Sequence, residues 1–104
     1  MRVYIAGPMT GLPDYNYPAF FEAEAKLADT GSDVFNPARH GIDPRKTHED
    51  YMREALLDLC GCNAMVLLPG WENSQGALVE IVAAKAMGVK IYATIADFLS
   101  EYGS

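Results

Sequence analysis

The sequence has 104 residues, half of them apolar, and a formal net charge of −6 at pH 7. This length predicts a single domain over residues 1–104 with one hydrophobic core, and the apolar content excludes a disordered chain. The acidic balance argues against binding to nucleic-acid polymers, whose protein partners are normally basic. A small anion is still compatible, because a few backbone N–H groups at a helix start bind phosphate locally.

The apolar runs and the two cysteines indicate the cellular compartment. No apolar run approaches the roughly 18 to 20 residues that a membrane span needs, and the apolar run at the N-terminus is too short for a signal peptide. Cys60 and Cys62 are the only cysteines. A bridge between them would be strained, and two thiols without a nearby histidine make a poor zinc site. We therefore expect a cytoplasmic protein with partly buried, reduced thiols, no membrane contact, no metal and no cofactor.

The first half of the chain predicts two strands and one helix. A short apolar run at residues 3–6 ends at Gly7-Pro8 and predicts a buried strand. Residues 20–27 have helical spacing, with Pro18 suited to the first turn and Gly31 to the stop. "DVFNP" predicts a second strand, and the polar "ARHGIDPRKTHED" predicts a surface loop.

The second half predicts three helices and two strands. Thr47 and Asp50 form a capping-box-like start for a helix over residues 48–60, whose inner face carries Met52, Leu56 and Leu59. "AMVLL" predicts a central strand buried on both faces. A third helix follows over residues 75–87 and stops at Gly88, and then "VKIYA" predicts a strand and "IADFLSEY" a closing helix.

This alternation predicts an α/β fold with helices on both faces of a sheet. We expect a single-domain, three-layer Rossmann-like (flavodoxin-like) architecture with a four- to five-stranded, mainly parallel sheet. Ligands in such sheets bind outside the carboxyl ends of the strands. That rule directs attention to the segments 7–17, 36–48 and 69–76.

Glu80 is a lone acid in the otherwise apolar third helix. It falls about one and a half turns from the predicted helix start, and its neighbours on the same face are small residues. Those neighbours are Gly76, Ala77, Ala83 and Ala84. Two interpretations have even odds on spacing alone: a solvated acid on the outer face, or a desolvated carboxylate that acts as nucleophile or base near the strand ends.

Ser74 and Gly76 precede that helix. Ser74 is a candidate N-cap, which needs no ligand and is the commoner role on local pattern. The alternative is a clasp for a phosphate or hydroxyl group, built from the serine, the glycine backbone and the helix dipole. The two roles are compatible if the ligand joins the capped turn.

The loop after the first strand contains Gly7, Pro8, Met9 and Asn16 together with aromatic residues. It lacks the G-x-G-x-x-G fingerprint of dinucleotide sites, and it is either an ordinary turn or a pocket for a base or sugar. Trp71, the sole tryptophan, is equally suited to a core anchor, a stacking platform or a subunit interface. The default interpretation of His40 and His48 is solvated loop residues, with a weak phosphate-facing cluster as the sharper alternative.

Three segments together resemble the nucleoside 2-deoxyribosyltransferase-like superfamily, and especially its small branch from phages and bacteria. They are "VYIAGPMTGLPDYN", "NPA" after the second strand, and "LLPGWENSQGALVEIVAAKAMG". The resemblance covers nearly the whole chain. It implies a homodimer or higher homo-oligomer that acts on a small-molecule nucleoside or nucleotide.

The resemblance also implies roles for individual residues. In that superfamily the glutamate of the S-x-G-x-x-x-E or D-x-G-x-x-x-E segment is the catalytic carboxylate, which corresponds to Glu80. A serine six residues earlier contacts the phosphate in the related deoxynucleoside 5′-monophosphate N-glycosidases, and Ser74 occupies that position. Tyr4 resembles the first-strand tyrosine that lines their sugar pocket. Two acids common in related chains are replaced, by Ala55 on the second helix and by Asn63 before the third strand.

These features predict an enzyme that cleaves or transfers the N-glycosidic bond of a (deoxy)nucleoside or its 5′-monophosphate through Glu80. Tyr4 would assist, and Gly7, Pro8, Met9, Asn16, Ser74, Gly76 and Trp71 would bind substrate. Hydrolysis and transfer stay open, because water or a second base can complete the reaction. The alternatives are a non-catalytic module that binds a nucleotide or sugar phosphate, which Ala55 and Asn63 favour, and a structural accessory protein.

Overall fold

The computed structural model describes residues 1–103. Four strands alternate with four helices, and short 3-10 turns occupy three of the connections. The elements are β1 (Arg2–Ala6), α1 (Tyr17–Ala28), β2 (Asp33–Phe35), α2 (His48–Cys60), β3 (Ala64–Leu67), α3 (Gln75–Ala86), β4 (Lys90–Tyr92) and α4 (Ile95–Tyr102).

The strands form one parallel sheet in the order β2-β1-β3-β4. The predicted parallel α/β architecture is therefore confirmed, with four strands. β3 lies inside the sheet and is buried along its whole length, as its unbroken apolar run predicts. Successive side chains of a strand point to opposite faces, so β1 sends Val3 and Ile5 to one face and Tyr4 and Ala6 to the other.

Each face of the sheet is covered by two helices. Phe20 and Leu27 of α1 pack with Phe98 of α4 on one face. Leu59 of α2 and Ile81 of α3 pack on the other face. Two layers of helices around one sheet give the three-layer arrangement that the sequence predicts.

Local signals set the helix ends. The Thr47 side chain accepts a hydrogen bond from the Asp50 N–H while the Asp50 carboxylate accepts one from the Thr47 N–H, which completes the predicted capping box. Of the expected inner face of α2, Leu59 is fully buried, whereas Met52 and Leu56 are half-buried and the intervening Ala55 is buried.

The two thiols differ in environment, contrary to the expectation that both are partly buried. Cys60, the last residue of α2, is exposed. Cys62 is buried in the core on the sheet face that α2 and α3 cover. Burial raises the pKa of the Cys62 thiol to about 12. Across residues 1–103, no helix has both the length and the hydropathy required to cross a bilayer.

Candidate active site

A cavity of about 810 Å³ opens at the carboxyl ends of β1 and β3, where α2 and the start of α3 meet two loops. This is the place that the rule for parallel sheets predicts. Its walls come from residues 7–10 after β1, residues 40–43 after β2, one side of α2, and residues 73–77 before and within α3.

Glu80 lies on the wall of this cavity and is only 7% exposed. Of the two interpretations of this acid, a solvated outer-face residue is excluded. The carboxylate accepts a hydrogen bond from the hydroxyl of Tyr4, a fully buried residue of β1. The small Ala77, on the same side of α3, is buried in the core cluster that contains Tyr4.

Burial changes the acid–base properties of both partners. Desolvation raises the pKa of Glu80 to about 7, although the hydrogen bond from Tyr4 acts in the opposite direction. Burial also raises the pKa of Tyr4 far above its usual value, and the negative charge of Glu80 adds to this effect. Tyr4 therefore keeps its proton and donates a hydrogen bond to the Glu80 carboxyl group, which ionises near neutral pH.

Ser74 caps α3. Its Oγ accepts a hydrogen bond of 3.2 Å from the Ala77 N–H. The N–H groups of Gln75 and Gly76 have no acceptor in residues 1–103 and border the cavity. They are a pair of hydrogen-bond donors at a helix start, where the helix dipole favours an anion.

The loop after β1 approaches the sheet closely and then turns sharply. A Cβ at Gly7 would lie 2.8 Å from Leu68 Cβ, so this position requires glycine. Asp14, Tyr15 and Asn16 follow with left-handed backbone angles of φ 53°, 52° and 60°. This turn brings the rings of Tyr15 and Tyr17 to the cavity wall with their centroids 6.0 Å apart.

The loop between β2 and α2 is fastened to α2 by ion pairs. His40 Nε2 lies 2.9 Å from Asp58 Oδ2, and Lys46 Nζ lies 2.6 Å from Glu54 Oε1. The hydroxyl of Tyr51 donates to the Asp43 carbonyl and accepts from the Asp43 N–H. These contacts attach the loop to the cavity wall, and His40 contacts Asp58 while remaining exposed to solvent, as the default interpretation expects.

The two positions where related chains carry acids lie in different parts of the molecule. Ala55 lines the cavity, so α2 presents a methyl group at the position where the resemblance implies an acid. Asn63 accepts a hydrogen bond from the Arg2 N–H at the amino ends of the strands. Because the cavity lies at the carboxyl ends, the side chain at position 63 is remote from it.

Most of the predicted binding residues lie together. Gly7, Pro8, Met9, Ser74 and Gly76 all line the cavity with Glu80, and Tyr4 reaches it through the carboxylate. Asn16 instead donates a hydrogen bond of 3.0 Å to the Pro8 carbonyl and supports the loop. Trp71 packs against the core beside α3, which favours the core-anchor alternative over a stacking platform.

One wall residue, Tyr51, escaped the sequence analysis, and Met52 was assigned only to the inner face of its helix. Lys46, Asn73 and Gln75 lie in the segments 36–48 and 69–76, but the sequence analysis assigned them no role of their own. The helical spacing of α2 could have identified its wall residues, because Tyr51, Met52 and Ala55 lie on one helical face. In the part of the chain that the structure describes, no three His, Cys, Asp or Glu side chains are grouped to hold a metal.

Comparisons with known proteins give one family and one fold. Residues 1–93 match the family described as "Domain of unknown function (DUF4406)". No characterised protein matches by sequence. A solved 2-deoxyribosyltransferase from Bacillus psychrosaccharolyticus, described as a biocatalyst for nucleoside synthesis, is similar at a TM-score of 0.69 and 17% identity. The similarity covers 88% of this chain and 69% of that one. The protein thus belongs to the DUF4406 family and has the nucleoside 2-deoxyribosyltransferase-like fold.

Proposed function

We propose that the protein cleaves or transfers the N-glycosidic bond of a (deoxy)nucleoside or its 5′-monophosphate, with Glu80 as the nucleophile. One observation carries this proposal: a buried carboxylate, fixed by the Tyr4 hydroxyl, faces a cavity at the carboxyl ends of the strands. A desolvated acid is costly, and such groups concentrate at catalytic sites. The solved enzyme of the same fold serves in nucleoside synthesis, which agrees with this substrate class.

The chemistry requires a carboxylate that can reach C1′, the anomeric carbon of the sugar. As the bond between C1′ and the base breaks, positive charge develops on the sugar ring, and a carboxylate beside C1′ stabilises it. Glu80 then forms a bond to C1′ while the base departs with the bonding electrons. Attack on C1′ by water completes hydrolysis, and attack by a second base completes transfer. Tyr4 holds the carboxylate in place during both steps.

The start of α3 supplies the second part of the proposal. The N–H groups of Gln75 and Gly76 border the cavity without an acceptor, and Ser74 caps the same turn. A 5′-phosphate placed there would accept hydrogen bonds from both N–H groups and would lie at the positive end of the helix dipole. This arrangement favours a nucleotide over a free nucleoside.

A non-catalytic binding module is the second candidate function, and Ala55 is the observation that favours it. The cavity wall formed by α2 has an apolar side chain where related chains have an acid. A binding module needs the cavity and the phosphate donors but no group that assists departure of the base. It predicts ligand-induced thermal stabilisation without turnover.

Association into a homo-oligomer is a further part of the proposal. Leu57 of α2 and Val79 and Val82 of α3 are 72%, 47% and 68% exposed, and their helices pack side by side. A second copy of the chain would cover this apolar surface. Sedimentation velocity measures the mass directly, and a monomer at high micromolar concentration would contradict the expectation.

The decisive experiment measures base release from each deoxynucleoside and its monophosphate, with and without an acceptor base. We expect release that Glu80→Gln reduces at least about 1,000-fold. Glu72→Gln is the matched control, because Glu72 is an exposed acid in the turn before α3. Thermal shifts without release would support the binding module, and release at full rate from Glu80→Gln would exclude Glu80 as the nucleophile.

A further inference from the structure

The departing base in N-glycosidic cleavage needs either a proton or a positive charge of its own. A neutral base leaves as an anion unless an acid protonates it, and general acid catalysis by a positioned side chain typically contributes about 10²- to 10⁴-fold. The identity of that acid therefore limits which bases can leave. The relevant side chains fall into four groups: the acids of α2, the carboxyl groups that line the cavity, its basic residues, and the aromatic rings of its wall.

α2 turns its acids away from the cavity. The helix lines the cavity with His48, Tyr51, Met52 and Ala55, whereas Glu54 and Asp58 do not line it. Glu54 pairs with Lys46, and Asp58 pairs with His40. The Tyr51 hydroxyl already donates its proton in a hydrogen bond to the Asp43 carbonyl. The helix thus presents no carboxyl group to the cavity.

The two carboxyl groups that do line the cavity are also unsuited. Glu80 is the nucleophile under the proposed function and cannot also hold the proton. Asp43 forms hydrogen bonds through both carboxylate oxygens with the Arg45 guanidinium, which lowers the pKa of Asp43. Asp43 is therefore an ionised carboxylate at neutral pH.

The basic residues of the wall are engaged or exposed. Both ring nitrogens of His40 face carboxylates, with Nδ1 3.6 Å from Glu54 Oε2. The hydrogen bond to Glu54 raises the pKa of Lys46, which makes its ammonium a weaker acid. His48 is exposed and forms no hydrogen bond with residues 1–103, so no contact fixes its ring toward a leaving base.

We propose, resting on the function above, that the cavity selects nucleosides or nucleotides whose base carries a fixed positive charge. N7-alkylated purines and pyridinium rings are the relevant class. Glu80 forms a bond to C1′, and the electron pair of the breaking C1′–N bond neutralises the ring, so the base leaves as a neutral molecule without a proton. Water then attacks C1′, releases the Glu80 carboxylate and loses one proton to solvent.

The remaining lining suits a cationic ring. Glu80 brings to the cavity a carboxyl group whose hydrogen-bond partner, Tyr4, carries no charge, and a chain of net charge −6 surrounds it. Tyr15 and Tyr17 place two aromatic rings on the wall with centroids 6.0 Å apart. Aromatic faces bind cations, and a positively charged base would gain from both kinds of contact.

A matched pair of substrates tests this inference. 2′-Deoxyguanosine 5′-monophosphate and its N7-methyl derivative differ by one methyl group and one charge. Base release from each is measured with the full chain, and the spontaneous release is subtracted. We expect kcat/KM for the methylated substrate to exceed that for the unmethylated one by at least about 100-fold.

Two variants distinguish selection by charge from selection by shape. Ala55→Asp introduces an acid on the cavity wall and should raise release from the unmethylated substrate at least about tenfold. Ala55→Asn has the same size without the acid and should not raise it. Circular dichroism confirms that both variants fold.

The outcomes separate the two proposals. Comparable kcat/KM for both substrates of the wild-type protein would overturn the inference while leaving the proposed function intact. Release from neither substrate, nor from the neutral nucleosides and nucleotides, would overturn both. Enhancement by Ala55→Asn equal to that by Ala55→Asp would show that space, and not the missing acid, controls the choice of base.

Discussion

The two faces of the sheet contain cores of similar size but different chemistry. The face covered by α1 and α4 has a core of hydrophobic residues around Phe20 and Phe98. The face covered by α2 and α3 contains Tyr4, small alanines and the carboxylate of Glu80. Since the same four strands serve both faces, the alternation of side chains along each strand separates them. One face can provide stability while the other accommodates an ionisable group.

The largest expected effect tests the stability of the apolar face. Phe98 is fully buried and packs edge-on against Tyr92. Phe98→Ala should lower the free energy of unfolding by about 3–5 kcal/mol, measured by urea denaturation. Phe21→Ala is the control, because Phe21 is 40% exposed and its loss should cost less than about 1 kcal/mol. An equal loss of unfolding free energy in the two variants would contradict the view that the face covered by α1 and α4 provides the stability.

A second prediction concerns the cost of the buried carboxylate. The folded pKa of Glu80, about 7, exceeds its value of 4.5 in a model peptide. Between these values the folded state holds a proton that the unfolded state has released, so stability falls as pH rises. Above pH 7 the full cost is present, and Glu80→Gln should stabilise the protein by roughly 3 kcal/mol.

The same variant provides its own control at low pH. Near pH 4 the carboxyl group is largely protonated in both states, so Glu80→Gln and the wild type should unfold at similar urea concentrations. A stability difference that is independent of pH would show that Glu80 carries no desolvation cost. The apolar face predicts no comparable pH dependence, since its core cluster contains no acid.

The third prediction concerns Tyr4. Its hydroxyl lowers the pKa of Glu80, so Tyr4→Phe should raise that pKa further and move the acid limb of the rate profile above about pH 7. Activity should fall about tenfold at pH 6 and much less at pH 9, where the carboxylate is ionised in both proteins. An equal fall at both values would indicate that Tyr4 acts on the substrate directly.

The smallest effect concerns the loop that forms one wall of the cavity. Asp58→Asn weakens the pair with His40, which is partly exposed and contributes less than about 1 kcal/mol. We expect KM to rise two- to fivefold with kcat nearly constant, because the loop binds substrate and does not react. Glu49→Gln, at an exposed position on the same helix outside the cavity wall, should leave KM unchanged.

Much of the fold was accessible from sequence because each element has strong local signals. The Thr47–Asp50 capping box and the apolar run of β3 determined their elements without tertiary information. The closing helix was predicted over the residues observed, and the structure adds the Thr94 cap at its start. The order of the strands required the three-dimensional structure, because nothing in the alternation specifies that β1 pairs with both β2 and β3.

The candidate site was only partly accessible. Glu80 and Ser74 were identified through their spacing, and Tyr4 through resemblance alone. The partners of Glu54 and Asp58 were not foreseen, because they come from a loop without regular periodicity. Trp71 shows the converse limit: a large aromatic residue in a loop is equally compatible with core and site until its packing is known.

The left-handed turn at Asp14, Tyr15 and Asn16 sets stability and recognition against each other. Side chains other than glycine cost roughly 1–2 kcal/mol per residue in this conformation. Tyr15→Gly would remove one of these conformational costs and so stabilise the native state. The same substitution would remove an aromatic ring from the cavity wall. Selection for stability would therefore favour glycine at position 15, whereas selection for tighter binding would favour tyrosine.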